Sequence, residues 1–239
     1  MSSGALIATI IAVCVVLVVL VVALARLLRG RRSRKRLAAY AAERGLEQVE
    51  EELPGVTPIL YRGTERVTRL AFQGELSAER EGTIAHYTYG ERVPIGGGGG
   101  TGGVSVTEFE LTVVLIEVPE TAGTFPRLLC HGRHGAESTD RFDDALGRKG
   151  LKRLKLESAV LNRRFEISYA PDQDEIQLRR FFAPATIVWL AESMPTAFEL
   201  VNGHLCCFAA GHLDSATELD TLIWGAAELA YRLESEATE

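Results

Sequence analysis

Residues Ala5 to Ala25 form an uncharged apolar run that is followed at once by Arg26, Arg29, Arg31, Arg32, Arg34, Lys35 and Arg36. No other stretch restricts the chain as much. A helix rises about 1.5 Å per residue, so about 20 apolar residues match a hydrocarbon core roughly 30 Å thick. A helix also pairs its own amides, which lipid requires. The run therefore predicts a transmembrane helix over 5–28, with residues 1–4 outside. All seven basic residues follow the run, and Lys and Arg are retained on the cytoplasmic side. The expectation is a single-pass protein of the cell (inner) membrane, N-terminus outside, with a basic juxtamembrane segment over 29–36 and a cytoplasmic domain behind it. The rival is a cleaved signal peptide ending at Ala23-Leu24-Ala25. Its core would exceed the usual length of about 7–15 residues, and its positive charge would lie at the wrong end.

The basic cluster (Arg29, Arg31, Arg32, Arg34, Lys35, Arg36) reads as a topology signal lying near anionic headgroups, which makes the lipid bilayer one expected partner. Without the seven basic residues of 1–36, the chain's 26 fall to 19, against 32 acidic ones, a net of −13. An acidic remainder excludes general binding to a phosphate backbone, so no nucleic-acid partner is expected. About 200 residues suffice for one domain or two close-packed subdomains. Cys14 lies in the apolar run. Cys130, Cys206 and Cys207 lie beyond it, and no C-x-x-C pair occurs.

Residues 37–131 read as a strand-rich N-terminal subdomain. A short helix over 33–44 stops near Gly45, and Pro54-Gly55 and Pro58 mark a loop. Strands follow at Val67–Phe72, Thr83–Arg92, Val104–Val118 and Arg127–His131. In the third, Phe109, Leu111, Val113 and Leu115 fall on one side, while Val114, Ile116 and Val118 make the other side apolar as well. Such a strand belongs in the middle of a sheet. The Gly-rich segment 96–103 reads as a hairpin connection.

Residues 132–150 are polar and read as a linker, with a helical turn over Asp140–Leu146. Residues 151–239 read as a C-terminal α+β subdomain. It opens with Leu151–Leu156 and a strand at Phe165–Tyr169. A helix over Asp172–Phe181 follows, then one begun by Pro184 that runs to about Glu192. Ala197–Val201 and Leu205–Ala209 form a hairpin about Asn202-Gly203. Ser215 with Glu218 opens an amphipathic helix whose apolar face is Leu219, Leu222, Ile223, Ala226, Ala230 and Leu233. The tail Glu234–Glu239 is expected to fray. The fold class is thus α+β: a transmembrane helix, then antiparallel strands with short helices and a C-terminal amphipathic helix.

Candidate chemistry is sparse. Gly98, Gly100 and Gly103 give a formal G-x-G-x-x-G, but it leads into a strand and lacks the helix a phosphate site needs. Cys130, His131 and His134 are the candidate metal ligands, with His204, Cys206, Cys207 and His212 available if the two halves meet. None of these spacings is a recognised ligand pair, so no metal and no cofactor is expected. No G-x-S-x-G elbow occurs, and Asp143-Asp144 and Asp172/Asp174/Glu175 suit helix starts. No catalytic residue is assigned. Trp189, Phe181, Phe182, Phe198 and Trp224 fall within helix and strand patterns and read as core.

Leu156-Glu157-Ser158, Asn162-Arg163-Arg164-Phe165-Glu166-Ile167, Ala183-Pro184-Ala185, Trp189-Leu190, Phe198 and Asn202-Gly203 resemble a family of bacterial membrane-anchored proteins known only as a domain of unknown function. The match is strongest over 154–213. Leu161 stands where the family has Phe, and Ala183 where it has Thr. The resemblance implies the order of elements and brings no activity. The reading is a binding or scaffold domain for a protein partner. The alternatives are an enzyme with an unrecognised site about His131 and His134, or a sensor of a small ligand.

Overall fold

Strand alternation and one strongly amphipathic helix organise the chain. The computed structural model describes residues 3–77, 80–95, 103–132, 150–192 and 197–238. Helix α1 (Ser3–Glu43) is followed by β1 (Glu47–Val49), the single turn α2 (Pro58–Tyr61), β2 (Val67–Ser77), β3 (Arg80–Ile95), β4 (Gly103–Glu117), β5 (Arg127–Gly132) and β6 (Lys152–Leu154). Then come α3 (Ala159–Arg164), β7 (Phe165–Tyr169), α4 (Glu175–Phe181), α5 (Pro184–Glu192), β8 (Ala197–Val201), β9 (His204–Ala210) and α6 (Ala216–Thr238). The class is α+β. The nine described strands form one sheet in the order β1-β2-β3-β4-β9-β8-β5-β7-β6, and neighbours pair antiparallel throughout.

One-residue alternation sorts side chains onto two faces. On the first, Ile84, Val114, Ile116, Leu128, Cys130, Ile167, Phe198, Leu205 and Cys207 meet the helices. α6 lays Leu219, Leu222, Ile223, Ala226, Leu229, Ala230 and Leu233 against them, all buried. Each such aliphatic residue contributes about 1.5–3 kcal/mol of burial, Ala less. The short helices are capped locally. Ser158 Oγ accepts the Leu161 N–H, and Asp174 Oδ1 accepts that of Ile176. On the second face, Ala85, Tyr87, Tyr89, Leu111, Val113, Leu115, Cys206 and Phe208 pack beneath Ile59 and Leu60 of α2.

Among the described residues, no helix is long and apolar enough to cross a membrane. This corrects the transmembrane helix expected over 5–28. The single-pass placement in the cell (inner) membrane, the N-terminus outside and the cytoplasmic domain go with it. The apolar run is the first half of α1, which continues unbroken through Gly30 and the basic residues to Glu43. The physical reason lies at its C-terminal end. Leu37, Tyr40 and Ala41 are buried in the core of the sheet domain. Tyr40 Oη donates to Asp220 Oδ1 at 2.7 Å, Arg44 Nη2 to the same oxygen at 2.6 Å, and Arg36 Nη1 to the Asp214 carbonyl at 3.1 Å. The α1 C-terminal half is thereby welded to the start of α6.

The β8–β9 turn holds Asn202 at φ 48° and Gly203 at φ 80°, the left-handed pair that a two-residue hairpin needs. A Cβ on Gly203 would also meet Pro119 Cα at 3.0 Å. Gly203→Ala is expected to lower stability by roughly 2 kcal/mol, since both the backbone angle and the contact oppose it. Asn202→Gly should leave the denaturation midpoint nearly unchanged.

Candidate functional site

The second face of the sheet changes character toward β8, β5 and β7. Ladder pairing sets His131 opposite Glu166, Leu129 between Ser168 and Glu199, and Glu199 opposite Cys206. The polar members are sealed: Glu199 is 0 % exposed, His131 1 %, Ser168 3 % and Glu166 6 %. Buried ionisable groups at this density need partners. Glu199 has two. Oε1 lies 2.7 Å from His131 Nε2, and Oε2 accepts the Ile59 N–H at 2.7 Å. With the carboxylate accepting both bonds, His131 carries a proton on Nε2.

Ile59 lies in the first turn of α2, where N–H groups lack helical partners. Thr57-Pro58 starts that turn, because Pro is preset for the first helical position. Glu199 thus reaches out of the sheet and caps the segment lying over it. Three further bonds pin the same segment. Tyr87 Oη donates to the Leu60 carbonyl at 2.7 Å, the Leu53 N–H to Thr68 Oγ1 at 3.0 Å, and Arg62 Nε to Glu91 Oε1. The Arg62 guanidinium also lies over the Tyr89 ring, 5.2 Å from its centroid. Burial holds the Tyr89 hydroxyl up at about 12.

A His–carboxylate pair can orient a general base if a nucleophile and an open approach adjoin it. The adjoining thiol is Cys206. Burial pushes its pKa well above the ordinary range, and the Glu199 charge adds to that. Burial likewise raises Cys207, with a contribution from Cys130. Both remain thiols, which are poor nucleophiles. The arrangement acts as a clamp between the sheet and its cover.

Cys130 points to the helix-covered face and His131 to the other, because they are neighbours on β5. His134 lies outside the described residues, as do residues 96–102 of the Gly-rich segment and Asp140–Leu146. His212 stacks on His86 with ring centroids 4.5 Å apart, far from β5 in the sheet order. Among the described residues, no group of three His, Cys, Asp or Glu is placed to hold a metal. The basic cluster Arg29, Arg31, Arg32, Arg34, Lys35 and Arg36 is exposed along α1. Arg36 also faces the Asp214 carboxylate at 3.7 Å. Of the aromatic residues, Phe181, Phe182, Phe198 and Trp189 are core, while Trp224 is 52 % exposed and edges onto Trp189.

Glu199, Arg62 and Glu91 escaped the sequence reading. One signal was present for Glu199: a lone carboxylate at the centre of Ala197-Phe198-Glu199-Leu200-Val201, on a strand whose hairpin partner is itself apolar. No protein-family model, curated protein or solved structure matches this chain.

Proposed function

We propose that this chain is a binding or scaffold module that engages a protein partner through α1. The observation behind it is the exposure of the helix. Val13, Val16, Leu17, Val18, Val19, Leu20, Val21, Val22, Leu24 and Leu28 are each 45–65 % open, with no cover among the described residues. An apolar surface of this extent is a contact surface. It runs directly into the exposed cations of 29–36, so the complementary partner offers an apolar groove with an acidic rim. The His131–Glu199 pair supports the same reading, because its bonds hold the fold together and leave no open approach. The partner is a protein rather than a nucleic acid on the strength of the acidic remainder.

A photo-crosslinking residue at Val18 or Val21 of the full chain tests this in cells. The expected product is one discrete heterologous adduct that weakens when Arg31 and Arg32 are changed to Glu. The reading fails if the same adduct forms from Ile176, an exposed position elsewhere. It also fails if the only adduct has twice the mass of the chain, or if none forms.

A further inference from the structure

β6 and β7 stay paired over only three residues, Lys152 with Tyr169, Arg153 with Ser168 and Leu154 with Ile167. After Leu154 the chain leaves the sheet to form α3, which ends directly before Phe165 at the start of β7. The detour leaves a partly open pocket of about 200 Å³ beside the end of β6. Leu154, Phe165 and Ile167, all buried, make its apolar walls. Arg153, Lys155, Asn162 and Glu166 make the polar ones. Side-chain bonds fix the loop that carries Lys155. Asn162 Nδ2 donates to the Leu156 carbonyl, and Ser158 Oγ accepts the Leu161 N–H. The loop is thereby tied to α3.

Charge marks the same place. Residues 150–164 hold Lys152, Arg153, Lys155, Arg163 and Arg164 against a single acid, Glu157, although the chain beyond residue 36 is acidic as a whole. Four of these cations are engaged. Lys152 Nζ donates to the Pro171 carbonyl at 3.1 Å, Arg163 Nε to the Ala159 carbonyl at 3.2 Å, and Arg164 Nη1 to the Ala191 carbonyl. Arg153 Nε lies 3.0 Å from Glu166 Oε1, so these two charges balance within the wall. Lys155 is exposed and has no partner among the described residues. The pocket is therefore left with one uncompensated positive charge.

Size narrows the occupant further. A cavity of roughly 150 Å³ holds a benzene ring, and sites for drug-sized ligands start at about 300 Å³. This pocket lies between the two, which leaves room for one ring and a small substituent. The walls favour an apolar body, and Lys155 favours one negative charge at the mouth. A second negative charge would be desolvated with nothing to balance it. We infer that this pocket binds a small aromatic monocarboxylate, its ring against Leu154, Phe165 and Ile167 and its carboxylate at Lys155. The site needs no protein partner, so it stands or falls separately from the contact surface on α1.

The probes are benzoate, benzyl alcohol, phenyl phosphate and acetate at equal ionic strength, titrated into the full chain with methyl NMR as readout. Benzoate should shift the Leu154 and Ile167 methyl signals saturably, with a Kd on the order of 1 mM. Benzyl alcohol lacks the charge, phenyl phosphate carries a second one, and acetate lacks the ring. Each should bind about tenfold more weakly than benzoate. Lys155→Gln changes an exposed side chain, so it should fold as wild type does and bind benzoate about tenfold more weakly. Arg163→Gln removes a neighbouring cation outside the pocket and should stay within about twofold of wild type, since solvent and salt screen an exposed charge. The inference is overturned if benzoate moves neither methyl group or if any of the three analogues binds as tightly as benzoate. It is also overturned if Lys155→Gln weakens benzoate no more than Arg163→Gln does.

Discussion

Glu199→Ala is expected to cost about 3–5 kcal/mol of stability, the loss that follows when one partner of a sealed, hydrogen-bonded pair is removed. Two groups are stranded at once. His131, 1 % exposed, loses the acceptor of its Nε2–H, and the Ile59 N–H at the start of α2 loses its cap. Each unpaired buried group contributes about 1–3 kcal/mol to the loss. Glu199→Gln keeps the shape and one acceptor and should cost about half as much. His131→Leu combined with Glu199→Leu should cost less than the two single changes added, because neither partner is then left alone. Denaturant midpoints of these five variants measure this directly. If Glu199→Ala falls within about 0.5 kcal/mol of wild type, the clamp does not hold the cover.

The clamp shows which parts of such a site a sequence can reveal. Periodicity assigns Phe198 and Leu200 to one face and Glu199 to the other, but it cannot say that the other face is also covered. The cover is the 53–62 segment, whose Pro54, Gly55 and Pro58 read as a plain loop. Burial over that loop depends on contacts spanning 140 residues of sequence between Ile59 and Glu199, and no local pattern encodes such a contact. Arg62 and Glu91 are hidden for the same reason. Separately each looks like an ordinary surface charge, and only the backbone bonds of Thr64 and Glu65 to Gly90 on β3, outside any strand pattern, bring them together.

The strands were more legible. Two-sided apolarity late in β4 places it centrally, and the structure sets it between β3 and β9. Asn202-Gly203 marks the β8–β9 hairpin because both residues accept the left-handed angles of a tight two-residue turn. The C-terminal end cannot be read without its partners. Glu234 to Glu239 looks like a frayed acidic tail, yet α6 runs on to Thr238. Arg80 forks onto Glu234 at 2.7 and 2.8 Å, and Arg180 Nε lies 3.3 Å from Glu236. The α1 run misleads for a different reason. Its length and charge order predict a span, while the contacts of Leu37, Tyr40 and Ala41 that tie the helix to the sheet lie beyond any local signal.

Acidification from pH 6.5 toward pH 3 is expected to remove roughly 4 kcal/mol of stability through His86 alone, the linkage equivalent of its lowered pKa. The ring is wholly buried, and its pKa is lowered to about 3. Burial is the main cause, followed by repulsion from His212 and Arg34, and the hydrogen bond to Leu213 opposes them only in part. Nε2 donates to the Leu213 carbonyl at 3.1 Å, while Nδ1 has no partner in the chain. A second proton would therefore create a buried, unpaired N–H beside the stacked ring of His212. His212 is itself lowered, again chiefly by burial, although Glu110 favours its charged form. Above pH 6.5 the His86 ring is neutral in both folded and unfolded chains, and its contribution is fully present. Below that, the unfolded chain takes up a proton that the folded chain refuses, so stability falls with pH. His86→Phe keeps the aromatic stack and cannot be protonated. It should therefore be less stable than wild type at pH 7.5, yet flatter by close to one proton between pH 6.5 and 4.5. An unchanged slope in that variant refutes the assignment. The location gives the loss a direction. Leu213 is held by Thr112 Oγ1 at 2.8 Å, and the next residue, Asp214, receives Arg36 from α1. Strain at His86 thus falls on the loop joining β9 to α6, where α1 is fastened, so α1 should detach before the central strands open.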